Sequence, residues 1–129
     1  VKDLEGKTVL AVKGTTAVDD VHKYAPKARI LQYDDYGQAM SALKANLGVA
    51  LTTDNGLLAG IAQENAGYKL VGGVYSNAPY GIAVNKGQKQ MADHIDQALN
   101  ELQKNGTYDR LIKKWFAGIP GFSLKGVLK

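Results

Sequence analysis

The run Thr8-Val9-Leu10-Ala11-Val12 is apolar without alternation, the pattern of a short strand covered on both faces. After Lys13-Gly14-Thr15-Thr16, the segment from Ala17 to Tyr24 places Val18 and Val21 one turn apart. Asp19 and Asp20 lie in its first turn, and Pro26 stops it, as a helix requires. The sequence then repeats itself in kind. Ala28 to Tyr33 reads as a strand, Asp34-Asp35 can cap a helix, and Tyr36, Met40, Leu43 and Leu47 recur every three or four residues. Val49 to Thr52 predicts a third strand, followed by a helix carrying Leu57, Leu58 and Ile61 behind Asp54. Tyr68 to Val71 and Tyr80 to Val84 predict a fourth and a fifth strand.

Strands alternating with helices of this length predict an α/β fold: a mostly parallel five-stranded sheet with helices on both faces. From Lys86 onward the pattern is helical only. Met91, Ile95, Ala98, Leu99 and Leu102 form one apolar face, and Asn105-Gly106 supplies a left-handed stop. Thr107 can cap a last helix with Leu111, Ile112, Trp115 and Phe116. Gly118 to Lys129 reads as a loose extension. The predicted division is therefore residues 1–85, an α/β lobe, and residues 86–129, a helical tail.

Charge follows the same division. Of the formal net charge of +4, none arises in residues 1–85, where eight basic residues balance eight acidic ones; residues 86–129 carry eight basic and four acidic. Lys104, Arg110, Lys113 and Lys114 fall near predicted helix ends, where cations complement the macrodipole, so the excess does not point to nucleic acid. With 129 residues, 45% of them hydrophobic, the chain can bury one ordinary core. No apolar run approaches the roughly 20 residues of a membrane span. Val1 to Gly6 lacks the basic and apolar regions of a signal peptide, so any targeting segment is expected outside this chain. There is no cysteine, hence no thiolate nucleophile and no disulfide.

Chemistry is expected at two turns. Gly14, Thr15 and Thr16 follow the first strand, where a glycine permits a tight turn and the helix start offers N–H groups and two hydroxyls to an anion. A ligand-free helix cap is the plainer reading of this turn. No G-x-G-x-x-G follows the strand, and no phosphate-loop motif occurs. Thr53 and Asp54 end the third strand. Asp54 can cap the next helix, or it can meet an ammonium group at the sheet edge that carries Thr15 and Thr16. An anion-binding turn and a carboxylate on one edge suit a zwitterion. His22 and His94 have no metal-ligand spacing, no serine lies in a G-x-S-x-G elbow, and no catalytic, metal or cofactor constellation is evident.

The residues together resemble the polar-amino-acid family of extracytoplasmic solute-binding proteins that serve ABC importers. The matching pieces are Asp3 to Val9 leading to Val12-Lys13-Gly14-Thr15-Thr16, Tyr33-Asp34-Asp35-Tyr36, Thr53-Asp54-Asn55 and Tyr68 to Gly72. They continue with Pro79 to Gly87, Asn105 to Asp109 and Lys113 to Phe116. The resemblance implies one lobe of the periplasmic-binding-protein type II fold: the lobe that closes on the ligand, then a tail that belongs to the first lobe in an intact relative. It implies that Gly14, Thr15 and Thr16 hold the ligand α-carboxylate, that Asp54 takes the α-ammonium and that Thr53 tunes side-chain selection. It implies an ABC permease as partner and a periplasmic or lipid-anchored location. The family's carboxylate-clamping Arg lies in the first lobe; Arg29 and Arg110 fall outside that motif. Gly48-Val49-Ala50 also departs from the family's V-D-A, putting an apolar residue where an acid is usual. Two other functions share the fold, an enzyme of the cyclohexadienyl dehydratase type and a ligand-sensing receptor domain. Helices deprived of their first-lobe partner are expected to leave an apolar patch, with three routes open: folding the tail back on its own sheet, exchanging it with a second copy as a homodimer, or exposing it and aggregating.

Overall fold

A computed structural model describes residues 1–124, and within the chain two compact units form, Val1–Asn77 and Ala78–Lys129. The boundary read from sequence at residue 85 falls inside the second unit. In the first unit, β1 (Thr8–Val12), β2 (Arg29–Tyr33) and β3 (Ala50–Leu51) make a parallel sheet in the order β2-β1-β3. Helices α1 (Thr16–Tyr24), α2 (Tyr36–Lys44) and α3 (Asn55–Glu64) follow the three strands.

The unbroken apolar run places β1 in the middle. Val9 to Val12 are all buried, whereas β2 and β3 are partly exposed. Successive side chains of a strand point to opposite faces, and each face of β1 has its own helix. Val9 packs with Val21 and Ala25 at the end of α1, joined by Ile30, its register partner on β2. Leu10 points the other way, against Gly48 in the turn that follows α2. Two right-handed crossovers leaving β1 in one direction and returning past it in the other require this placement of α1 and α2 on opposite faces. Helices on both faces of a parallel sheet are thus as the sequence predicts.

The sheet is smaller than predicted. No strand forms over Tyr68–Val71 or Tyr80–Val84. Gly72 and Gly73 both have positive φ, at 82° and 66°, which ends any extended segment at Val71. Val71, Tyr80 and Ile82 are exposed, at 70%, 77% and 62%. Strand propensity measures fitness for a pleated, half-buried surface, and these side chains are on no such surface. β3 is also shorter than the predicted Val49–Thr52, although the bonds from Val49 N to Thr8 O and from Thr52 N to Leu10 O carry its ladder one residue further at each end.

The second unit contains α4 (Lys89–Lys104) and α5 (Thr107–Phe116), the two helices predicted for this part of the chain. Gly106, with φ at 77°, makes the left-handed turn between them, and Asn105 Oδ1 accepts from Thr107 N at 2.9 Å. Gly106 thereby takes the capping position predicted for Thr107, which is the first helical residue instead. Phe116 and Phe122 stack with ring centroids 4.8 Å apart. No residue of α4 or α5 is buried. The extension predicted over Gly118–Lys129 is described as far as residue 124, and its last five residues lie outside the described ones.

Candidate functional site

Parallel strands deliver their following turns to one edge of the sheet. The register pairs Leu10 with Leu51, and carrying it two residues further sets Val12 beside Thr53. The β1–α1 turn and the β3–α3 turn therefore leave the sheet side by side. From this edge α1 leads towards β2 on one side of β1, while β3, from which α3 departs, lies on the other side. Open α/β sheets bind ligands beyond the carboxyl ends of their strands. Gly14, Thr15 and Thr16 follow the end of β1, and Thr53 and Asp54 follow the end of β3.

The local geometry of the first turn begins with Gly14, whose φ of 70° only glycine adopts without strain. Thr15 occupies the N-cap position of α1 in extended conformation, yet its side chain does not cap. Its hydroxyl instead donates to Val12 O at 2.8 Å. The leading N–H groups of α1 thus have no side-chain acceptor from the cap residue and face the edge with the positive end of the helix dipole. Lys13 continues the ladder, donating its backbone N–H to Tyr33 O at 2.9 Å, and its ammonium pairs with the exposed carboxylate of Asp34 at 2.7 Å. Exposed pairs of this kind add little stability.

On the second turn, Asp54 holds the N-cap position of α3 and likewise makes no capping bond with its side chain. A capping carboxylate in this protein looks different: Asp35 accepts from Gln38 N at 2.8 Å at the start of α2. Sequence alone gives Asp35 and Asp54 the same signature; the structure separates them. The two threonines before Asp54 are tied to tyrosines on different layers. Thr53 Oγ1 lies 2.8 Å from the hydroxyl of Tyr36, the first residue of α2. Thr52, the one buried polar side chain of the described residues, has its Oγ1 2.5 Å from the hydroxyl of Tyr75, whose ring stands edge-on to Tyr24 of α1. Burial raises the Tyr75 phenol above its ordinary pKa; the Thr52 bond opposes that rise and the Asp20 carboxylate reinforces it. Ser76 next to it donates to Asp20 Oδ2 at 2.6 Å.

Tyr75 escaped the sequence reading, Ser76 entered it only as a serine outside a G-x-S-x-G elbow, and Tyr36 only as an apolar helix position and as part of the motif Tyr33-Asp34-Asp35-Tyr36. Nothing in their spacing marks a hydroxyl that reaches a threonine 17 or 23 residues away. A shallow depression lined by Lys7, Thr8, Leu43, Leu47, Val49 and Tyr68 sits at the opposite, amino-terminal edge of the sheet and includes none of the candidate residues. Among the described residues no cluster of His, Cys, Asp or Glu could hold a metal, and no helix is long and apolar enough to cross a membrane.

Residues 4–118 match the model of bacterial extracellular solute-binding proteins, family 3. The chain belongs to this family. It is 44% identical over 116 residues to the ABC transporter glutamine-binding protein GlnH of Bacillus subtilis, covering 90% of this chain and 42% of that protein. Over 90 residues it is 44% identical to a glutamine-binding protein of Geobacillus stearothermophilus, covering 69% of this chain and 34% of the relative. An ancestral arginine-binding protein bound to glutamine superposes with a TM-score of 0.72 at 38% identity, over 89% of this chain and 52% of that one. The chain therefore spans about two fifths or less of these curated relatives and half of the solved structure. The parallel α/β sheet with flanking helices is the family's fold.

Proposed function

We propose that this chain is the ligand-closing lobe, with the C-terminal tail, of an extracytoplasmic solute-binding protein that captures a polar amino acid and delivers it to an ABC permease. One observation carries the proposal: Gly14-Thr15-Thr16 and Thr53-Asp54 follow the neighbouring strands β1 and β3 at the same carboxyl edge of the parallel sheet. The α1 amides and the Thr16 hydroxyl receive the α-carboxylate, Asp54 receives the α-ammonium in a charge-assisted bond, and Thr53 borders the ligand side chain. The role is binding, not catalysis, in keeping with the names of the relatives matched. It calls for no cofactor, metal or nucleic acid. Residues from about Lys86 onward pack on the first lobe in the two-lobe protein, and in the 129-residue chain by itself they pair with a second copy.

Half a crevice encloses little of a small ligand, and affinity depends on enclosure. Calorimetric titration of the 129-residue chain with glutamine or arginine is expected to show no binding tighter than about millimolar. In a two-lobe protein carrying this chain, Asp54→Asn is expected to weaken amino-acid binding by about 1.5–3 kcal/mol while the fold survives. Unchanged affinity with a lowered melting temperature would reduce Asp54 to a structural residue.

A further inference from the structure

We propose that Tyr36 and Tyr75 are positioning residues that brace the turn carrying Asp54 from the two faces of the sheet. The inference rests on the assignment of Asp54 to the ligand only for its functional consequence; the bracing itself is independent of any ligand.

Consecutive residues at a strand end project to opposite faces, so Thr52 and Thr53 cannot share a partner layer. Thr53 reaches α2 through the Tyr36 hydroxyl, and Thr52 reaches Tyr75, which leans on Tyr24 of α1. The two bonds are made by adjacent residues, directly before Asp54. β3 is only two residues long, and its ladder ends with the bond from Thr52 N to Leu10 O, one residue short of Thr53 and two short of Asp54. Tyr75 is in turn held by its neighbour, since Ser76 donates to Asp20 on α1. Both tyrosines are partly buried, and each rigid ring carries its hydroxyl to the threonine with little conformational freedom to lose. The consequence is a carboxylate whose backbone is fixed with respect to both helical layers before any ligand arrives, the preorganisation that weak, half-enclosed sites need.

Site-resolved amide hydrogen exchange on the full chain, without ligand, tests this in Tyr36→Phe, Tyr75→Phe and the double variant. Each single variant is expected to accelerate exchange of the amides from Thr52 to Leu58 by about fivefold, and the double variant by more than either, while Leu10 and Ala11 of β1 stay unchanged. Tyr24→Phe, which keeps the ring contact, is expected to have no such effect. Adding Thr52→Val to Tyr75→Phe removes the second partner of the same bond and is expected to accelerate exchange at the turn no further than Tyr75→Phe alone. Acceleration spread evenly over β1 and the turn would mean a role in global stability only, and an unchanged turn would overturn the bracing outright. Failure of the ligand assignment would show elsewhere, as an Asp54→Asn two-lobe protein with normal affinity alongside a turn that still loosens in the tyrosine variants.

Discussion

A Cβ placed on Gly48 would lie 2.6 Å from Cδ2 and 2.7 Å from Cγ of Leu10, so the turn entering β3 passes the central strand at a distance that leaves no room for a side chain. Leu10 is fully buried and cannot swing aside, and Thr8 O at 3.1 Å closes the space from the other direction. Gly48→Ala is therefore expected to destabilise the protein by about 1–3 kcal/mol through overpacking. Denaturant unfolding would show a lower midpoint at unchanged slope. Gly60 provides the contrast, because it sits on an exposed position of α3 with nothing within 4 Å of its missing Cβ. Gly60→Ala is expected to be neutral or stabilising by up to about 1 kcal/mol. Equal losses at both positions would refute the steric account.

Gly48 also shows what a sequence conceals. The residues at 48 and 49 are visible as a departure from the family pattern, but only the packing of Leu10 gives the glycine a reason. Elements with their own periodicity were legible: β1 from an unbroken apolar run, α2 from recurring Tyr36, Met40 and Leu43, α4 and α5 from one-sided apolar faces. Tyr80–Val84 was misread because a strand also needs a partner edge, which local pattern cannot supply. At the site, the two turns were legible because a parallel sheet puts all such turns on one edge. The tyrosine hydroxyls behind Thr52 and Thr53 were not, because their contacts cross 17 and 23 residues without any periodic trace.

Tyr75 is expected to make stability fall at alkaline pH. Its phenol is raised above the ordinary value of 10.0, first by burial and further by the Asp20 carboxylate, with the Thr52 bond acting against both. The folded state thus holds this proton more tightly than the unfolded chain does, so stability is complete below pH 10 and declines as pH rises through the higher folded-state value. Denaturant midpoints measured between about pH 8 and pH 12 are expected to fall less steeply for Tyr75→Phe than for the wild type, the other tyrosines being common to both. Parallel curves for the two proteins would show that Tyr75 ionises equally well folded and unfolded.

The second unit predicts self-association. α4 and α5 are amphipathic, yet none of their residues is buried, and Met91, Leu111 and Trp115 are exposed at 54%, 43% and 64%. Apolar side chains gathered on helix faces gain about 25 cal/mol for each Å² removed from water, and large exposed patches are uncommon on soluble monomers. A second copy offers the same faces, and a two-fold arrangement lets each apolar face cover the other. Trp115 is the sole tryptophan of the chain, which makes its emission a direct reporter of this surface. Raising the protein concentration is expected to shift that emission to shorter wavelength in step with dimer formation by sedimentation velocity. Leu111→Asp is expected to keep the chain monomeric and the emission unchanged, with the parallel sheet of the first unit intact by circular dichroism. A wild-type chain that stays monomeric at millimolar concentration, with Trp115 emission fixed, would rule out pairing through these helices (~10⁻³ M sets an affinity bound of about −4 kcal/mol).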